Sequence, residues 1–206
     1  MFLEDDSYRR VHAGSSGRRA GVTLIEIIIV LAIISVVATM GVPKFLKLVS
    51  SYKVNDNGRR LQSVATLAHV KAAARNTRYR VTHGTSSYTL QYCADDVTTR
   101  VNPCSTWSLD ETSAAQTLPG GVTFSLTGIT NAPPIVTCAS SPCTASQDTE
   151  MTFNSRGLLF DETSNAPATV RCFYLTGTNA DPVAVCSVLT GRTIVYRLAG
   201  STWIAL

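Results

Sequence analysis

The residues of this sequence that could do chemistry are six cysteines, three histidines and one acid inside an apolar run. The cysteines all lie between residues 93 and 186, and their even number predicts disulfides if that part of the chain is exported. About 15 pairings are open to six cysteines, and the sequence does not choose among them. We expect neighbours to pair, because each bond then closes a short loop: Cys93–Cys104, Cys138–Cys143 and Cys172–Cys186.

A metal site or an enzyme active site is a weaker interpretation. The chain has no C-x-x-C spacing for zinc and no D-x-D-x-D-G calcium loop. It also lacks the G-x-S-x-G, P-loop, G-x-G-x-x-G and H-E-x-x-H patterns. The paired acids are interpreted as loop charges: Asp95-Asp96, Asp110-Glu111 and Asp161-Glu162. The histidines are interpreted as structural or unassigned: His12, His69 and His83. We therefore expect no catalytic residue, no metal and no cofactor.

An apolar run, VTLIEIIIVLAIISVVATMGV, extends from Val22 to Val42. As a helix it would be about 31 Å long at roughly 1.5 Å per residue. A bilayer's hydrocarbon core is about 30 Å thick, so the run can span it once. Basic residues flank the run on both sides, which leaves its orientation weakly determined: Arg9, Arg10, Arg18, Arg19, Lys44 and Lys47. By itself the run is typical of a signal anchor that holds a periplasmic domain.

Glu26 is the only charged residue in the apolar run. A carboxylate embedded in a bilayer helix costs about 2.5–3.5 kcal/mol on insertion scales, so it needs a partner, a proton or a place near the membrane edge. It lies one turn from Val22, near the helix N-terminus, where the helix dipole favours negative charge. Glu26 could therefore pair with a group of another molecule, or it could simply stabilise the start of its own helix.

The segment Gly21-Val22-Thr23-Leu24-Ile25-Glu26, with basic residues before it and Pro43 after it, resembles the prepilin signature of type IV pilin-like proteins. That resemblance implies cleavage between Gly21 and Val22 by a prepilin peptidase, and N-methylation of Val22. It also implies that Glu26 pairs with the methylated amine of a neighbouring subunit during assembly on an inner-membrane platform. Val22 departs from the family pattern, which usually has phenylalanine there. The expected parts are a cytoplasmic leader (1–21), a transmembrane and filament-core helix (22–42), an amphipathic helix (43–80) and a β-rich head (81–206).

The amphipathic segment is predicted to be helical because apolar residues recur every three or four positions. Pro43 predicts a kink or an opened turn. Asn55–Gly58 are poor helix formers, so the segment could be one helix or two. Its excess of basic residues favours a solvated or lipid-headgroup face, with nucleic-acid binding as the less favoured alternative. The candidate DNA-binding residues are Arg59, Arg60, Lys71, Arg75, Arg78 and Arg80.

After Arg80, short β-type runs alternate with Gly, Pro and Asn turn signals. This predicts an α+β fold in which an antiparallel sheet packs on the second half of the long helix. A cross-strand Cys172–Cys186 bond is expected, and an irregular loop is expected from Asp95 to Gln116. The predicted strands are Ser87–Cys93, Val122–Leu126, Ile135–Cys138, Glu150–Phe153, Ala168–Leu175, Val183–Leu189, Thr193–Leu198 and Thr202–Ala205.

The head segments Met151–Gly157 and Val183–Arg192 are similar to a narrower group, the H-type pseudopilins of type II secretion and the FimT- or FimU-like minor pilins. Leu61–Ala65, Ala74-Arg75 and Val81-Thr82 carry the first part of the same similarity. The shared pattern is a helix that ends in a basic stretch, a short strand, an F-x-x-x-G turn, a hairpin and a final G-R turn. This similarity implies a minor subunit that is held in the inner membrane before assembly and lies in a periplasmic or surface filament afterwards. Three functions follow: a minor pilin for initiation, adhesion or motility, a minor pseudopilin of type II secretion, or a DNA-binding competence pilin.

Overall fold

A computed structural model describes residues 21–95, 104–111, 115–137 and 143–206. Its first element is a helix, α1, that spans Leu24–Arg75 and contains Pro43. The helix runs without interruption through Asn55–Gly58, because an apolar face that is buried along this stretch outweighs the poor helix propensity of these residues. Asn76 ends the helix in the left-handed region, at a φ of 52°, as asparagine often does at a helix C-terminus.

Twelve strands follow the helix in the described part of the chain, and all the pairings between them there are antiparallel. They are β1 (Tyr79–His83), β2 (Ser87–Cys93), β3 (Trp107–Leu109), β4 (Gln116–Thr117), β5 (Val122–Phe124), β6 (Glu150–Phe153), β7 (Leu159–Asp161), β8 (Ala166–Pro167), β9 (Val170–Gly177), β10 (Val183–Val188), β11 (Thr193–Ala199) and β12 (Thr202–Ala205). The first sheet has the order β3-β2-β1-β6-β7-β8, with β4 also paired to β2. The second sheet has the order β12-β11-β10-β9-β5.

The chain divides into two compact units, one that ends at Val42 and one that comprises Pro43–Leu206. In the second unit the main core lies between one face of α1 and both sheets. The buried helix residues recur at intervals of three and four: Val54, Asn57, Gly58, Leu61, Ala65, Ala68 and Ala72. They pack against apolar strand residues such as Val81, Phe153 and Val185. One face of the helix thus packs against strand side chains in a single core. This is the α+β arrangement that the sequence predicts.

Glycines permit the closest approach between α1 and the second sheet. A Cβ atom at Gly58 would lie 2.7 Å from Cγ1 of Val183, and one at Gly177 would lie 2.6 Å from Cγ2 of Val54. Side chains at these positions would push the helix away from the sheet, since well-packed cores have little room for an added methyl group. A smaller second core, which includes Tyr174, lies on the opposite face of this sheet.

The fold class is confirmed, whereas several element boundaries are wrong. The expected helix through residue 80 stops at Arg75, and Tyr79–His83 forms strand β1 instead. Residues 135–137 of the expected strand Ile135–Cys138 form no strand, and Cys138 itself lies outside the described residues. The loop expected over Asp95–Gln116 contains the short strand β3 and the first residue of β4. The sequence also missed β7 and β8, since strands of two or three residues are too short to show an alternating pattern.

Candidate assembly site

The apolar end of α1 begins with a helix cap. Thr23 precedes the first helical residue, and its Oγ1 accepts a hydrogen bond from the Glu26 N–H at 3.3 Å. The Thr23 carbonyl oxygen also accepts from the N–H groups of Glu26 and Ile27. A threonine followed three residues later by a glutamate is the capping-box pattern, and it places an acid in the first helical turn. The cap agrees with the expectation that Glu26 could stabilise the start of its own helix, and the part played by Thr23 is added by the structure.

The side chain of Glu26 has no hydrogen-bond or ion-pair partner among the described residues. The two hydroxyl side chains of the run are satisfied within the helix. Ser35 Oγ donates to the Leu31 carbonyl, and Thr39 Oγ1 donates to the Val36 carbonyl, each at 2.8 Å. Because apolar surroundings leave polar groups no water to bond with, such internal pairing suits this helix to lipid or to a helix bundle. The Glu26 carboxylate is the exception, and it is available to a partner.

The residues of this run are exposed along its whole length, from Val22 to Val42. Helix α1 is long and apolar enough to cross a membrane, and none of its most apolar window is buried. A continuous apolar surface of this kind requires lipid or protein to cover it. Pro43 lies inside the helix where the run ends, and it leaves the carbonyl group one turn earlier without its usual helical hydrogen bond.

A family profile, the prokaryotic N-terminal methylation motif, matches residues 16–42. This motif indicates a type IV pilin-like or pseudopilin-like protein. The match covers the methylation segment only, and its residues before Gly21 lie outside the described structure. No match was found among curated proteins or solved structures. The long apolar helix followed by antiparallel sheets is the layout of the pilin fold.

Two disulfide bonds have both cysteines within the described residues of the head. Cys93 is bonded to Cys104 (S–S 2.11 Å), and Cys172 is bonded to Cys186 (S–S 2.04 Å). These are two of the three pairs that neighbour pairing predicts. Cys172 and Cys186 are also register partners across β9 and β10, so the second bond crosses the strands as expected. Cys143 is disulfide-bonded, and its expected partner, Cys138, lies outside the described residues.

Asp95 binds the two residues that follow Cys104 of the first disulfide. Its Oδ2 accepts hydrogen bonds from the backbone N–H and the hydroxyl of Ser105 and from the N–H of Thr106, all at 2.7–2.8 Å. These bonds, with the Ser105 hydroxyl first among them, lower the pKa of Asp95 below its usual value. Cys93, Asp95 and Cys104 lie close enough to suggest a metal site. The disulfide removes both thiolates, so this cluster does not provide a zinc ligand set.

The candidate DNA-binding residues are not all available to phosphate groups, because several pair with carboxylates of the head or of the helix itself. Lys71 Nζ lies 2.7 Å from Asp110 Oδ1, and both side chains are largely buried. The other close pairs are Arg60–Asp56 at 2.8 Å, Arg78–Glu162 at 3.2 Å and Arg80–Glu150 at 3.1 Å. Arg75 donates to the Tyr79 hydroxyl at 2.9 Å. Arg59 is exposed and has no ion-pair partner among the described residues.

Arg80 also stacks over the ring of Trp107, with its guanidinium carbon 4.1 Å from the ring centre. Burial is the first cause of a lowered Arg80 pKa, and Glu150 opposes that shift. A guanidinium group that is stacked on an aromatic ring and paired with a carboxylate serves the packing of the head. Arg80 on β1 thus contacts Trp107 on β3 and Glu150 on β6, and these contacts hold the three strands together.

His69 has a structural position that the sequence did not reveal. Cβ atoms built at Gly157 and Gly191 would lie 2.7 Å and 2.4 Å from ring atoms of His69. Both glycines have positive φ, at 76° and 79°. They are the glycines of the F-x-x-x-G turn and of the G-R turn, so the two turns converge on one helix residue. The glycine motifs were visible in the sequence, but their common contact depends on the tertiary fold.

Proposed function

We propose that the chain is a minor subunit of a type IV pilus that assembles through its N-terminal helix. The observation that carries this proposal is the Glu26 carboxylate, which lies in the first turn of an apolar helix without a partner among the described residues. An acid in this position is costly in lipid. It is useful when a positively charged group of another subunit meets it.

In the proposed mechanism the leader stays in the cytoplasm while the β-rich head is exported. A prepilin peptidase cuts after Gly21, and methylation follows on the new amine of Val22. An inner-membrane platform then moves the subunit out of the bilayer, and like helices replace lipid around the apolar run. The attraction between Glu26 of one subunit and the Val22 amine of its neighbour sets the stagger, because charge pairs are stronger in low-dielectric surroundings than in water.

The head supports a minor rather than a bulk role through its turn pattern. The glycines Gly157 and Gly191, which carry the similarity to FimT- or FimU-like minor pilins and H-type pseudopilins, pack against the helix at His69. A minor pseudopilin of type II secretion would use the same apolar helix, the same acid and the same head turns. It is therefore the second candidate. A DNA-binding role is less favoured, because head carboxylates already pair with Lys71, Arg78 and Arg80.

Processing gives the first test. The full chain is produced in cells with and without a prepilin peptidase, and its N-terminus is identified by mass spectrometry. We expect mature material to begin at Val22 with a methylated amine only when the peptidase is present. Gly21→Val should retain the leader, since a branched side chain would stand at the residue before the cut. An unprocessed wild-type chain in the presence of the peptidase would refute the proposal.

The phenotype of a deletion strain separates the two filament systems. Loss of surface pili or of twitching motility, with normal export of folded proteins, would support the pilus. Loss of protein export with normal pili would assign the chain to type II secretion instead. Complementation with the wild-type chain should restore whichever activity is lost.

A further inference from the structure

A groove lies in the Pro43–Leu206 unit, between the middle of α1 and the end of the second sheet. It has a volume of about 360 Å³ and is referred to below as the α1–β12 groove. Its lining residues come from the helix, from strand β11 and from the residue after β12: Tyr52, Asn55, Asp56, Arg59, Arg197 and Leu206. None of them belongs to the processing and methylation segment.

The walls of the α1–β12 groove are partly apolar. The Tyr52 side chain is 67% exposed, and Leu206 is 45% exposed. Ile204, which is the register partner of Arg197 across β11 and β12, is 46% exposed. Strand β12 is the last strand of its sheet, so its outer edge has no strand partner in the described part of the chain. Exposed apolar side chains beside a free strand edge favour the docking of an extended segment.

The polar groups of the groove are incompletely satisfied. Nε of Arg197 and Oδ1 of Asn55 are buried without a hydrogen-bond partner in the described residues. A buried polar atom in that condition costs about 1–3 kcal/mol. Asp56 is the acid of the groove, and it pairs with Arg60 at 2.8 Å. Arg59 and Arg197 therefore have no carboxylate partner among the described residues.

We propose that the α1–β12 groove binds an extended acidic segment of a neighbouring filament subunit. A carboxylate would accept from Arg59 and Arg197, and a backbone N–H would donate to Asn55 Oδ1. An apolar side chain of the same segment would pack on Tyr52 and Leu206. A peptide that alternates acidic and apolar residues offers all three groups, whereas inorganic phosphate offers no N–H donor and no apolar side chain. This inference rests on the proposed filament function and names a contact within it.

A binding measurement on the full chain in detergent micelles tests the groove directly. The probe is a fluorescein-labelled peptide of alternating valine and glutamate residues, followed by fluorescence anisotropy. We expect saturable binding with a Kd below about 1 mM, and about tenfold weaker binding for Arg59→Gln and for Arg197→Gln. Arg59 is an exposed helix residue, so its variant does not depend on tolerance in the core.

The matched control is Arg156→Gln, because Arg156 is exposed, outside the groove and without an ion-pair partner among the described residues. This variant should bind the peptide as the wild type does. A second control peptide, with glutamine in place of glutamate, should bind at least about tenfold more weakly. The inference is overturned by equal binding of the two peptides, by equal losses in Arg156→Gln and Arg197→Gln, or by the absence of saturable binding.

Incorporation in cells separates failure of this inference from failure of the proposed function. The chain is quantified in sheared filaments, and Arg59→Gln and Arg197→Gln are expected to lower its amount about tenfold, as the weaker docking requires. Wild-type incorporation by both variants would overturn the docking inference and leave the filament function intact. Absence of the wild-type chain from filaments would overturn both.

Discussion

The Glu26→Gln variant tests the central element of the filament proposal. The substitution keeps the size of the side chain and removes its charge. The carboxylate has no partner among the described residues. Only another molecule can therefore offset the free-energy cost of placing it in lipid. That cost is about 2.5–3.5 kcal/mol on insertion scales. Since about 1.4 kcal/mol changes an equilibrium tenfold, the balance between lipid and filament should shift by about a hundredfold toward lipid.

The assay compares the processed chain in sheared filaments with the processed chain left in the membrane fraction, by immunoblot. The proposed leader of Glu26→Gln should still be removed, because the proposed cleavage residues Gly21 and Val22 are unchanged. The matched control is Thr39→Val, since its hydroxyl already donates to the Val36 carbonyl at 2.8 Å and offers nothing to a partner. This control should assemble as the wild type does.

Wild-type incorporation by Glu26→Gln, with full processing, would refute the reasoning about charge pairing. A decrease of the same size in Thr39→Val would show instead that any polar change in the apolar run disturbs assembly. In either case Glu26 would be left with the role of stabilising the start of its own helix.

The other predictions concern the head and one aromatic residue. Gly58→Ala should lower the free energy of unfolding in urea by about 1–3 kcal/mol, because its Cβ would lie 2.7 Å from a valine methyl group. Gly41→Ala, whose Cβ would meet nothing within 4 Å, should leave the unfolding of the head unchanged. Asp110→Ala removes a carboxylate 2.7 Å from a buried lysine ammonium and should cost about 3–5 kcal/mol; Asp56→Ala, at an exposed pair, should cost less than about 1 kcal/mol. Burial raises the pKa of Tyr174 from 10.0 to about 12, so its phenol should ionise late in an ultraviolet titration; the stability that it contributes is complete below pH 10 and is lost as the pH rises toward about 12.

Local sequence patterns were sufficient for the parts of the fold that depend on near neighbours. The apolar run from Val22 to Val42 predicts the helix that begins at Leu24, since helix formation needs only a continuous set of compatible residues. The longer strands β9 to β12 were also predictable, because each has a run of β-forming residues bounded by turn signals. The Cys172–Cys186 bond follows from the pairing of two such strands.

The sequence failed where the chain's course depends on distant contacts. The basic segment after Arg75 has the composition of a helix surface, yet it turns at Asn76 and forms β1. Tyr79 and Val81 are fully buried there, so tertiary packing of the strand outweighs local helix propensity. Strand β7 forms by pairing with β6. Its own three residues carry no pattern from which a strand could be predicted.

The sequence by itself determined the apolar helix, its single acid, the processing motif and the α+β class, because spacing and composition fix these properties locally. Only the tertiary structure decided which cations remain unpaired. Lys71 and Arg78 are neutralised by acids 39 and 84 residues away along the chain, while Arg59 and Arg197 line one groove and have no carboxylate partner among the described residues. Charge pairing depends on distance in space, and the folded sheets set that distance.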